Sequence, residues 1–195
     1  TTTSADVTTT ADAIQFASAT GLGDAVALVS AGGAVTFTST LDNAQNLTIT
    51  AAAGNVTFSG AVGGSTRLGT LNIVTAGDVT AGALTLAAFD QDAGTGTTTL
   101  GGAVDTNAAG GVVVANTNLA VNAAVTTTGN GVVTFTQSGT TTIAAAGNIV
   151  SDGAVTVTSG GGTTTSADVT TTADAIQFAS NTAVNADLTL NTTSG

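Results

Sequence analysis

Asp90-Gln91-Asp92 is where this sequence sets two acids at a spacing that chemistry could use. On an extended strand, residues i and i+2 project from one face, so the two carboxylates would stand side by side. Such a pair can share a proton or offer oxygens to a hard cation. The rest of the catalytic repertoire is thin. All 12 acidic residues are Asp, the only basic residue is Arg67, and His, Glu, Lys, Cys and Tyr are absent. Serine hydroxyls therefore have no His or Lys to act as a base. The stretch FDQDAGTG reads more simply as a solvated turn, and the chain as a non-enzyme.

Calcium is the remaining possibility for these acids. Asp90 and Asp92, with Asp6 and Asp12, are the residues to which the ion would first go. The calcium-solenoid signature GGxGxD is absent, since neither GGSTRL nor GGAVDT supplies it. Most of the Asp residues are expected at corners, where they cap turns and keep the surface soluble by mutual repulsion. No cofactor is called for.

The composition excludes further classes. A formal charge of −11 with a single Arg cannot neutralise a phosphate backbone or hold an anionic membrane surface. No apolar run approaches the roughly 20 residues that span a bilayer. Without Cys there are no disulfides or thiolate zinc sites. Yet 42% of the residues are hydrophobic and only 7% charged, which is the balance of a chain that folds. Thr and Val favour strands, Gly and Asn favour turns, and most strong helix formers are missing. An all-β chain is expected.

A short phrase recurs along it: apolar, small polar, apolar. Examples are Ile14-Gln15-Phe16, Val35-Thr36-Phe37, Leu47-Thr48-Ile49, Val56-Thr57-Phe58, Leu84-Thr85-Leu86, Val133-Thr134-Phe135 and Val155-Thr156-Val157. Alternation of this kind buries one face of a short strand. Phe16, Phe37 and Phe58 are 21 residues apart, and the same step continues to Val79, Leu100 and Val121. A shorter step of 14 reaches Phe135, followed by Val157 and Phe178. A constant period with Gly/Asn corners predicts a parallel β-solenoid with coils of about 21 residues, a single continuous segment over residues 1–195. The residues Phe16, Phe37, Phe58, Phe135, Val157 and Phe178 are then expected to form one internal ladder.

The stretch GNVTFSGAVGGSTRLGTLNIVTAGDVT (residues 54–80) resembles the Gly/Thr/Asn-rich β-strand-repeat proteins of bacterial surfaces, the filamentous-haemagglutinin-like adhesins and exoproteins. The shared wording is a V-T-F strand at Val56 to Phe58 and a G-A-V-G-G turn at Gly60 to Gly64. An L-G-x-L-x-I strand at Leu68 to Ile73 and T-A-G-D-V at Thr75 to Val79 follow. The resemblance implies a right-handed β-solenoid, export to the cell surface, and a structural or adhesive role. That family has no active-site residues to carry over.

One cassette is written twice. TTTSADVTTTADAIQFAS occupies residues 1–18 and again 163–180, a distance of 162 residues, which eight coil steps are expected to bridge. Neither TTTSADVTTT nor ADLTLNTTSG carries the polar cap of a terminal coil, so continuation or end-to-end association is expected. The partners expected are other copies of the chain, end to end or laterally, and surface glycans; nucleic acid and membrane insertion are not. An ice-binding role is the alternative, through Thr36-Phe37-Thr38, Thr48-Ile49-Thr50, Thr134-Phe135-Thr136 and Thr156-Val157-Thr158. A carbohydrate-binding surface module is another. Formal glycosylation sequons stand at Asn46, Asn55 and Asn191.

Overall fold

The computed structural model describes residues 1–193, all of the chain but the last two residues of ADLTLNTTSG. It is an all-β parallel solenoid of about nine coils, with no helix among the described residues. Each coil passes through three walls in turn. The first wall is built from Thr2–Thr3, Thr20–Leu22, Leu41–Asp42, the start of Leu84–Gln91, Val104–Thr106, Val125–Thr127, Ile149–Ser151, Val169–Thr172 and Leu190–Thr193. The second takes Val7–Thr9, Val26–Ser30, Leu47–Thr50, Leu68–Thr75, the end of Leu84–Gln91, Val112–Asn116, Val133–Gln137, Val155–Ser159 and Ile176–Phe178. The third is a single nine-stranded sheet from Ile14–Phe16 up to Thr182–Val184.

Alternation explains the core directly. In Val26–Ser30, Val112–Asn116 and Val155–Ser159, residues one, three and five are buried and those between them are not. Parallel register then stacks like on like. Val56 lies over Val35 and Phe58 over Phe37, while Thr57 lies over Thr36 on the outside. The buried Val, Ile, Leu and Phe columns form one continuous core. Each fully buried large side chain contributes roughly 1.5–3 kcal/mol.

The single Phe ladder is not what forms. Phe16, Phe37 and Phe58 stack on the third wall, and the column continues through Ala81, Leu100, Val121 and Ile143. At the fourth tier Ala81 takes the place expected of Val79, which stacks instead on Val56. Phe135, Val157 and Phe178 belong to the second wall, above Val114. The step of 14 from Val121 to Phe135 is the reason: it is two-thirds of a coil, and two-thirds of a coil changes wall.

The two cassettes follow the same arithmetic. In the first copy Thr2–Thr3, Val7–Thr9 and Ile14–Phe16 take the first, second and third walls. In the second copy Thr163–Thr165, Val169–Thr172 and Ile176–Phe178 take the third, first and second. The spacing of 162 residues is thus seven and two-thirds coils, not eight. Local pairing is nonetheless preserved. Thr2 pairs with Gly21 and Val7 with Leu28, as Thr164 pairs with Ala183 and Val169 with Leu190. One sequence therefore folds the same way on different walls.

Candidate functional site

The corners are held by Asp and Asn. Asp6 Oδ1 accepts the backbone N–H of Ala27 at 2.7 Å, and Asp168 Oδ1 that of Thr189 at 2.8 Å, in each case one coil above. Asn55 Oδ1 accepts from Asp78, and Asp78 Oδ1 from Thr97, so the device climbs two coils in succession. Asn148 and Asn118 repeat it below Asp168 and Thr140. A side-chain oxygen at a turn thereby satisfies an N–H that the corner would leave without a ladder partner.

These bonds define what the proposed calcium ligands do. Asp6 Oδ1 is engaged with Ala27. Asp12 bounds a turn in which its backbone carbonyl accepts the Thr9 hydroxyl at 2.6 Å. Asp90 and Asp92 lie four coils away. Asp90 faces outward between Asn72 and Val113. Partial burial, and then the charge of Asp92, push its carboxyl above the ordinary aspartate value. Among the described residues no three acidic side chains converge into a set that could hold a metal ion.

The most regular surface feature is a column of hydroxyls on the third wall. Thr36, Thr57, Thr80 and Thr99 stand one above another, Ala120 interrupts them, and Thr142 and Thr164 continue. The Thr-x-Thr pairs named above are less well aligned. On the second wall Thr134 and Thr136 lie under Thr156 and Thr158, but between them and Thr48 come Asn72, Asp90 and Val113. Of the sequon residues, Asn46 and Asn55 use Oδ1 to accept N–H groups of the next coil, and Asn191 sits in the exposed strand Leu190–Thr193.

Sequence reasoning missed the polar interior. The Thr141 hydroxyl donates to Gln137 Oε1 at 2.7 Å, lies 2.6 Å from Ser159 Oγ, and is wholly buried. Gln137 Nε2 donates to the Val114 carbonyl at 2.9 Å, and Thr163 lies 3.2 Å from Ser180 Oγ. Thr in a strand reads as outward; only the phase against Val56 and Val79 marks Thr98, Thr141 and Thr163 as inward. The sole basic residue was also given no role. Arg67 pairs with Asp105 at 2.8 Å. Among the described residues no helix is long and apolar enough to cross a membrane. Comparison with protein-family models, with curated proteins and with solved structures found no match.

Proposed function

We propose that this chain is a structural or adhesive segment of an extracellular fibre, stalk or surface adhesin, and that its role is mechanical rather than catalytic. The observation that carries this reading is the uninterrupted stacking of the second and third walls, strand on strand, through about nine coils. At about 4.8 Å per coil, these form a rod roughly 40 Å long whose backbone hydrogen bonds lie along its axis. Lengthening the rod requires peeling a coil from every wall at once. The surface suits exposure outside a cell, with one tryptic site and no Met, Cys or Trp to oxidise. The partners that fit are further copies of the chain, stacked end to end or side by side, and surface glycans.

Immunogold electron microscopy of intact cells tests this reading. Labelled filaments at the surface are the expected result. Label that enters only after lysis, on unassembled material, contradicts it.

A second reading, binding to ice, is favoured by one observation, the Thr column of the third wall. It requires thermal hysteresis that Thr80→Tyr abolishes; an inactive wild-type chain removes it.

A further inference from the structure

The first wall, unlike the other two, narrows to a single paired residue in one coil. Thr2–Thr3, Thr20–Leu22 and Leu41–Asp42 form a three-stranded sheet of their own, and strand structure resumes on this wall only at Leu84. Between them the fourth coil contributes Val62 alone, bridged to Leu41 and Leu84 by only two backbone hydrogen bonds on each side. The next residues, Gly63 to Arg67, form no strand, and Gly64, Ser65 and Thr66 among them are exposed. Gly63 makes this break in the strand possible. Its φ is +71°, and a Cβ there would overlap the Thr85 carbonyl oxygen.

The loop is fastened at both ends. Asp42 Oδ1, from the third coil, accepts the N–H groups of Ser65 at 2.8 Å and Thr66 at 3.4 Å. Arg67 reaches the opposite way. Its Nη1 donates to the carbonyls of Leu86 at 2.7 Å and Asp105 at 2.9 Å, and its Nη2 to Asp105 Oδ2 at 2.8 Å. Five residues thus tie the third coil to the sixth.

The same coils collect the other defects of the rod. Pairing between Leu68–Thr75 and Leu47–Thr50 slips register between Ile73 and Thr75. Among the described residues, the buried side-chain atoms without a hydrogen-bond partner are Asn72 Oδ1, Gln91 Nε2, Thr106 Oγ1 and Asn116 Oδ1. All four lie in coils four to six. An unpartnered buried polar group weakens the layer that contains it, because water satisfies it once the layer opens.

We propose that coils four to six are the joint at which the rod opens and bends, and that the strap from Asp42 to Asp105 through Arg67 holds it shut. The narrowing lies in one wall while the other two keep full strands through it, so opening is a hinge about those two walls. The Arg67–Asp105 end is an ion pair, partly open to solvent, so salt loosens it. This inference rests on the fold alone, and stands whether or not the chain builds a fibre.

The full chain contains its own probe. Arg67–Leu68 is the only bond trypsin can cut, and Leu68 is 1% exposed, so cleavage reports the strap opening. Asp105→Asn removes the charge and keeps the shape; Asp42→Ala removes the acceptor at the other end. Hydrogen exchange in the wild type is expected to be faster in residues 62–75 and 84–116 than in residues 133–159. Each variant should be cut about fivefold faster, with exchange outside coils four to six unchanged. Wild-type exchange as slow in coils four to six as in coils seven and eight overturns the proposal. So does cleavage of both variants at the wild-type rate.

Discussion

Phe37→Ala removes the middle ring of the only aromatic stack in the described structure. Its centroid is 4.7 Å from that of Phe16 and 5.3 Å from that of Phe58, with interplanar angles of 4° and 10°. The ring is 1% exposed, so its loss opens a closed interior. Phe→Ala at such a site costs about 3–5 kcal/mol, and the ring–ring contacts account for about 0.5–1.5 kcal/mol beyond area. The void cannot collapse along the axis, because hydrogen bonds on both sides fix the coil spacing. Phe135 supplies the comparison, being equally buried but placed between Val114 and Val157. A double-mutant cycle on Phe37 and Phe58 should give a coupling of about 1 kcal/mol, and one on Phe37 and Phe135 about zero. Urea unfolding followed by far-UV circular dichroism is the assay. Hydrogen exchange should accompany it, since a solenoid unfolds in segments rather than in one step. A loss under about 1.5 kcal/mol for Phe37→Ala would refute the reasoning. Equal couplings in the two cycles would refute the division into separate columns.

The corner bonds predict that Asp6→Ala and Asp168→Ala each destabilise by about 1 kcal/mol. The amides of Ala27 and Thr189 should exchange faster in the respective variant, as NMR would show. Asp90 holds its proton to higher pH in the fold than in the unfolded chain. Its stabilising contribution is therefore complete below the unfolded pKa and lost as pH rises through the folded one. Asp90→Asn should raise the melting temperature at neutral pH and leave it unchanged below the ordinary carboxylate range; the opposite trend would reverse the assignment. Gly63→Ala forces a Cβ toward the Thr85 carbonyl at positive φ. It should cost more than about 1 kcal/mol in thermal unfolding, whereas Gly→Ala at a compatible φ stabilises by about 0.4–1 kcal/mol.

Strands and period were legible because both follow from alternation. Val35-Thr36-Phe37 and Val56-Thr57-Phe58 are buried, half-exposed, buried, as the phrase requires. The coil length followed from the 21-residue steps between Phe16, Phe37 and Phe58. Which wall a strand joins was not legible. Alternation distinguishes in from out and carries no label for one of three near-equivalent walls. The cassette makes this plain, because Ile14-Gln15-Phe16 and Ile176-Gln177-Phe178 are the same word on the third and second walls. Ladder membership therefore failed at the step of 14, which is two-thirds of the period and so changed the wall. Corner roles were expected for most Asp residues, and Asp6 and Asp168 take them, but the solvated turn expected at FDQDAGTG begins as strand, with Phe89 and Gln91 buried. Arg67 was not placed. Its partner Asp105 is 38 residues away, a separation that only two stacked coils bring together.

Fibre diffraction from aligned assemblies of the chain tests the central claim most directly. Coils stacked along the axis of a shaft place the spacing of about 4.8 Å between strands on the meridian. The same spacing on the equator would mean strands running along the fibre, and would contradict both the stacked coils and the mechanical role built on them.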